Sequence, residues 1–241
     1  DLRFHWEIYR CKYLYNISLA YFITHKEPYA KAVVDFIINW KDYSPVVNKK
    51  IPYNGMEASI KLIYLSLVDP LLADSQAYNN EIRKELIYSI IIHAEYIYKN
   101  YDITFYGLES NHALTCSVGL IYASLLFPKY QSSKKWQNFG IRSLHRALEN
   151  QFSDDGVNFE SAVQYHRFVF EMLVFLLAGI NKNGFGEKIN ISEKVSKIGN
   201  ALLKLRHSNN YISRIGDSDG GKFLPCLNSL KNFVRSASKF G

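Results

Sequence analysis

The sequence predicts an all-α fold, an array of antiparallel helix pairs curved into an α/α toroid. Three observations carry that expectation. Apolar residues recur at three- and four-residue steps through most of the chain. The periodic stretches run about 15 to 20 residues between short connections, which makes sequential neighbours antiparallel. No stretch before Tyr211 reads as a strand, and no strict repeat is visible, so a curved or closed array fits better than a regular solenoid.

Phe4 to Thr24 reads as one helix, with Trp6, Tyr9, Tyr13, Leu14, Ile17 and Tyr21 in helical register. His25-Lys26-Glu27-Pro28 breaks it, and Pro28 suits the first turn of a second helix reaching about Asp42. Asn54 can cap a third helix from Met56 to Leu67, which Asp69-Pro70 closes. A fourth runs from Asn80 to Tyr98 and a fifth from Asn111 to Phe127-Pro128. Lys134 to Asn150 is the sixth; Asp155-Gly156 is a turn signal, and Phe159 to Ile180 is the seventh. Ser192 to Arg206 is the eighth, Tyr211 to Ile215 a short strand, and Leu227 to Ser236 a last helical segment.

The composition fits this. The chain has 241 residues, 48% hydrophobic and 21% charged, without low-complexity tracts, which suits a folded domain with a sizeable core. No run of 18 or more apolar residues stands free of charge; the most apolar one, Phe168 to Ile180, holds Glu171 and reads as a core helix. Asp1 opens the chain with no charged start before an apolar run, so no signal peptide is read there. Cys11, Cys116 and Cys226 are odd in number and far apart, the pattern of free thiols. The 29 Lys+Arg exceed the 22 Asp+Glu, and the net charge of +7 suits an anionic partner such as nucleic acid, an acidic lipid face or an acidic polysaccharide. A nucleic-acid binder would rest on charge alone, because no recognition module is present.

Two segments carry candidate chemistry. Ser110 can cap the fifth helix, leaving Asn111 and His112 in its first turn, where free N–H groups and the helix dipole favour a carboxylate. Asn111 donates through its amide and His112 donates or accepts. The second segment, Asp155 to His166, brings Tyr165 and His166 into the start of the next helix. A phenol with an ordinary pKa near ~10 needs nearby cations to act as a base at neutral pH, and His166 and Arg167 are the candidates. Glu57 and Glu160 read as first-turn acids, and Glu7 with Arg10 as a pair along one helix. Each of these residues taken singly reads more readily as helix packing or capping. Metal ligation is not supported: His112 and Cys116 stand alone, and Asp217 with Asp219 lacks the other ligands of a calcium loop. No phosphate loop, nucleophile elbow or obvious paired-carboxylate arrangement is present, and no cofactor is implied.

Taken in order, the motifs resemble the heparinase II/III family and related alginate lyases. They are Trp6-Glu7-x-x-Arg10, Leu19-Ala20-Tyr21 with Tyr29-Ala30, Asn111-His112, Gln151-x-x-x-Asp155-Gly156-x-x-x-Glu160-Ser161-x-x-Tyr165-His166, and Gly216-Asp217-Ser218-Asp219-Gly220. The resemblance implies an incomplete toroid over residues 1–210. Residues 211–241 would then start a connection to a C-terminal β-sandwich absent from this chain. It also implies β-elimination on uronic-acid polysaccharide, with Asn111, His112 and Tyr165 as catalytic residues and His166, Glu57 and Arg167 as substrate-binding ones. The family takes a further catalytic His from the β-sandwich, so the chain would supply half of a site. The alternative is a non-catalytic toroid that binds acidic glycans. A periplasmic or envelope location follows only from the resemblance, and no residue reports the compartment.

Overall fold

The computed structural model describes residues 2–40, 53–102, 110–182, 189–207, 211–218 and 222–223. Among these, nine helices follow in order: α1 (Leu2–Tyr9), α2 (Lys12–Thr24), α3 (Glu27–Trp40), α4 (Gly55–Leu72), α5 (Asn80–Lys99), α6 (Asn111–Leu126), α7 (Ser133–Gln151), α8 (Val163–Lys182) and α9 (Ser192–Lys204). The fold is all-α, and the described residues contain no strand.

The helices pair as α2 with α3, α4 with α5, α6 with α7 and α8 with α9. The first members also pack on one another in succession, α2 on α4, α4 on α6 and α6 on α8. This gives an inner row and an outer row, the layering of a toroid. Sequence decides which helix goes where. In α4 and α6, small and apolar residues occupy nearly every position, so most residues from Gly55 to Ser66 and from Ala113 to Ile121 are buried. In α7 and α9 the apolar residues form one stripe, such as Trp136, Gly140, Leu144 and Ala147, and only that stripe is covered. Each outer helix returns the chain, so successive inner helices start at the same end of the array.

Val163–Ile180 in α8 is long and apolar enough to cross a membrane by length and composition. It is 67% buried inside this fold, between α6 and α9, and Glu171 within it holds the backbone N–H of Phe223 at 2.8 Å. A core helix meets the same criteria of length and apolarity.

Several boundaries differ from expectation. The first expected helix is two, because Cys11 takes a left-handed φ of 59°. Apolar spacing continues across this break, so periodicity cannot reveal it. A long-range contact accompanies it, as Arg10 reaches out to Glu57 on α4. Pro70 lies inside α4 instead of ending it. It forfeits a single N–H in the final turn, and Leu72 beyond it is fully buried. The seventh expected helix starts at Val163, four residues after Phe159. Ser161 has a left-handed φ of 56°, and Asn158 Oδ1 accepts from the Glu160 N–H at 2.7 Å, which holds a turn there. The expected strand at Tyr211 to Ile215 is only an isolated bridge, Arg206 to Ile212. Cys11 and Cys116 are buried free thiols, whereas Cys226 and the segment Leu227 to Ser236 lie outside the described residues.

Lys61 is a local conflict within this core. Its side chain is buried on α4, its Nζ makes no hydrogen bond among the described residues, and it sits 5.5 Å from the centre of the Trp40 ring. Burial lowers its pKa, so the fold disfavours its charge. Lys61→Met keeps the volume and the ring contact while removing the buried amine. It is expected to stabilise the chain by about 1–3 kcal/mol, read as a higher melting temperature. A lower one would mean that the amine is well accommodated.

Candidate functional site at the inner-helix mouths

The site is built where inner helices begin. At α6, Ser110 is extended (φ −99°, ψ −174°) and its Oγ accepts from the His112 N–H at 3.2 Å. Gln151, the last residue of α7, donates its side-chain amide to the Ser110 carbonyl. Glu160 grips Asn111 twice: Oε1 accepts from the backbone N–H at 2.7 Å and Oε2 from Nδ2 at 2.8 Å. One carboxylate therefore fills a helix-terminal donor and fixes the rotamer of the amide beside it. Asn111 is itself buried, and its Oδ1 has no hydrogen-bond partner among the described residues.

Glu160 can reach Asn111 because it lies on a hairpin rather than in α8. Phe152 and Asn158 form an antiparallel bridge across the turn. At the turn Gly156 has φ 86°, and a Cβ there would lie 2.4 Å from the Lys197 carbonyl oxygen on α9. Only glycine meets both demands. Lys194 Nζ ties the hairpin to α9 by donating to the carbonyls of Phe152 and Ser153 at 2.9 and 3.1 Å.

His112 stands beside Asn111 with its side chain 38% exposed. Its Nδ1 faces Asp102 Oδ2 at 3.2 Å. With the proton on Nδ1, Asp102 fixes the ring and leaves Nε2 with a lone pair. The same Asp102 oxygen lies 3.5 Å from the Met56 N–H at the mouth of α4. One carboxylate thus links the starts of α4 and α6. Asn54 caps α4 by accepting from the Glu57 N–H at 2.9 Å. Glu57, nearly fully buried, receives a bidentate pair from Arg10 with both contacts at 2.7 Å, and Glu7 pairs with the same guanidinium.

Tyr165 is in the first turn of α8, and its hydroxyl donates to Asp217 Oδ2 at 2.8 Å. The segment holding Asp217 lies against the start of α8: Val163 N–H donates to the Ile215 carbonyl at 3.0 Å. Gly216 has φ 74°, and a Cβ there would come within 2.5 Å of the Ser161 carbonyl oxygen. The next two residues point elsewhere. His166 is buried, its Nε2 bonds the Ile198 carbonyl at 2.9 Å, and burial lowers its pKa, so it is neutral packing between α8 and α9. Arg167 donates to Glu171 Oε1 at 2.7 Å. The two cations expected to act on the phenol are therefore a neutral ring and a guanidinium committed to a buried carboxylate.

The structure brings Asn111, His112 and Glu160 together and connects them to Glu57 through the start of α4. Tyr165 follows the same hairpin into α8, which packs on α6. The positive dipole ends of these helix starts favour an anion, and at α6 the Glu160 carboxylate takes that place. The partners of three carboxylates are not legible in the sequence. Glu160 reads as a first-turn acid until the hairpin is seen. Asp102 sits in an unpatterned connection. Asp217 belongs to a Gly-rich run whose spacing points only to a loop.

The family model described as the heparinase II/III N-terminus matches residues 1–239. A heparin-sulfate lyase of Pedobacter heparinus is 26% identical over 214 residues, 85% of this chain and 31% of that protein. A heparin-sulfate lyase of Bacteroides stercoris is 24% identical over 186 residues, 69% of this chain and 27% of that protein. The crystal structure of the heparan sulfate lyase HepC from Pedobacter heparinus superposes with a TM-score of 0.71 at 21% identity, covering 98% of this chain and 39% of that one. The chain thus spans about a third of the relatives it matches.

Proposed function

Because the chain belongs to the heparinase II/III family, we propose that it forms the helical wall of a polysaccharide lyase site for uronic-acid polymers. Asn111 and His112 hold the uronate carboxylate at the mouth of α6. Neutralising that carboxylate acidifies the neighbouring C5–H and stabilises the enolate-like charge that develops. The further His expected from the β-sandwich takes the C5 proton, a C4=C5 double bond forms as the C4–O bond breaks, and the departing oxygen takes the Tyr165 hydroxyl proton, which solvent then restores. Glu57 shapes the wall through Arg10, and His166 and Arg167 anchor the α8 turn that carries Tyr165. The observation that carries the reading is the double grip of Glu160 on Asn111, which fixes the Asn111 amide beside His112 at the mouth of α6. The net charge of +7 suits an acidic glycan. A β-sandwich further along the native protein supplies the facing wall and another His.

Heparan sulfate is the first polymer to test, followed by other uronate polymers, with unsaturated-uronate absorbance as the readout. The longest native protein is expected to generate it. The 241-residue chain binds the same polymer weakly and produces little or none. Strong product formation by the isolated chain would remove the need for a second wall. Binding by the longest protein without any product across the panel would favour the glycan-binding alternative.

A further inference from the structure

We propose that Asp217 is a positioning residue that sets the Tyr165 hydroxyl for the elimination, an inference that rests on the lyase reading above. Tyr165 stands half-buried in the first turn of α8, and its hydroxyl donates to Asp217 Oδ2 at 2.8 Å.

The carboxylate is itself prepared for this contact. Asp217 Oδ1 accepts from the Ser218 N–H at 2.9 Å, which orients the group and leaves Oδ2 for Tyr165. The backbone beneath it is pinned to α8 by the bond from Val163 N–H to the Ile215 carbonyl. Gly216 packs so closely on Ser161 and Ala162 that any side chain there would collide. The chain segment carrying Asp217 is thus docked on the same helix start that carries Tyr165. A displacement of about 1 Å at a reacting group costs on the order of 10²-fold in rate, so such docking has a catalytic consequence.

The test uses the longest native protein with Asp217→Ala, Asp217→Asn and Tyr165→Phe, measuring kcat and KM separately on the polymer that gives product. Asp217→Ala is expected to lower kcat at least tenfold with KM changed less than threefold. Asp217→Asn keeps an oxygen acceptor in the same place and should recover at least a third of the native kcat. Asp217 is exposed, so matched melting temperatures serve as the folding control. A native kcat in Asp217→Ala, a proportionate rise in KM, or an Asn variant as slow as the Ala variant overturns the proposal. If Tyr165→Phe loses activity while Asp217→Ala does not, only this inference fails. Full activity in Tyr165→Phe removes the lyase reading of the tyrosine as well.

Discussion

Tyr165→Phe in the longest native protein is expected to cut kcat by about 10²- to 10⁴-fold, the span of a lost general acid–base group. Affinity for the polymer should hardly change. The substitution removes one oxygen from a ring in the first turn of α8 and leaves the ring's packing in place. The hydroxyl bond to Asp217 is lost, and it lies at the surface and carries little of the stability. Asn111 and His112 keep their partners Glu160 and Asp102, so the corner proposed to hold the uronate is unchanged. Turnover and binding therefore separate. Binding is measured with a non-cleavable or size-defined acidic oligosaccharide and turnover by unsaturated-uronate absorbance. A variant that retains more than half of the native kcat would place the proton transfer on another group.

The helical architecture was largely legible because it rests on local patterning. Asn54 and Ser110 announce two inner helices by capping them, and both accept the expected N–H bonds. The all-round apolar character of α6 and the one-sided stripe of α7 foretell their inner and outer places. What escapes the sequence depends on contacts between distant residues. Arg10 and Glu57 are 47 positions apart, and their pairing crosses from the α1–α2 break to the mouth of α4. Glu160 reaches Asn111 over 49 positions only because Ser161 leaves the helical region and delays α8. Tyr165 and Asp217 meet across 52 positions through a segment with no periodicity of its own. Helix starts and candidate residues can be read locally, whereas the carboxylates that orient them are selected by tertiary contact.

The same distinction gives a large expected effect on stability at low pH, centred on His93. This ring is wholly buried on α5, and its Nδ1 donates to the Ser89 carbonyl at 2.6 Å. Its Nε2 is buried without a hydrogen-bond partner among the described residues. Tyr53 packs edge-on at 6.3 Å between ring centres, and Lys61 is close enough for like-charge repulsion. Burial first, and Lys61 second, push the His93 pKa down to about 3 from an ordinary 6.5. The folded chain thus holds a neutral imidazole in a range where the unfolded chain takes up a proton. Stability from this group is fully present above pH 6.5 and is lost progressively as pH falls toward about 3. The limiting slope is about 1.4 kcal/mol per pH unit, and the whole window amounts to on the order of 5 kcal/mol. For a chain of this length, ~1 kcal/mol corresponds to about 2–4 °C in melting temperature. Between pH 7 and pH 4.5 the native chain should therefore lose roughly 5–10 °C more than a His93→Gln variant, which cannot take up this proton. The comparison removes the contribution of surface carboxylates, because both chains share them. Parallel melting curves for the two chains across that range would assign the acid sensitivity to other groups.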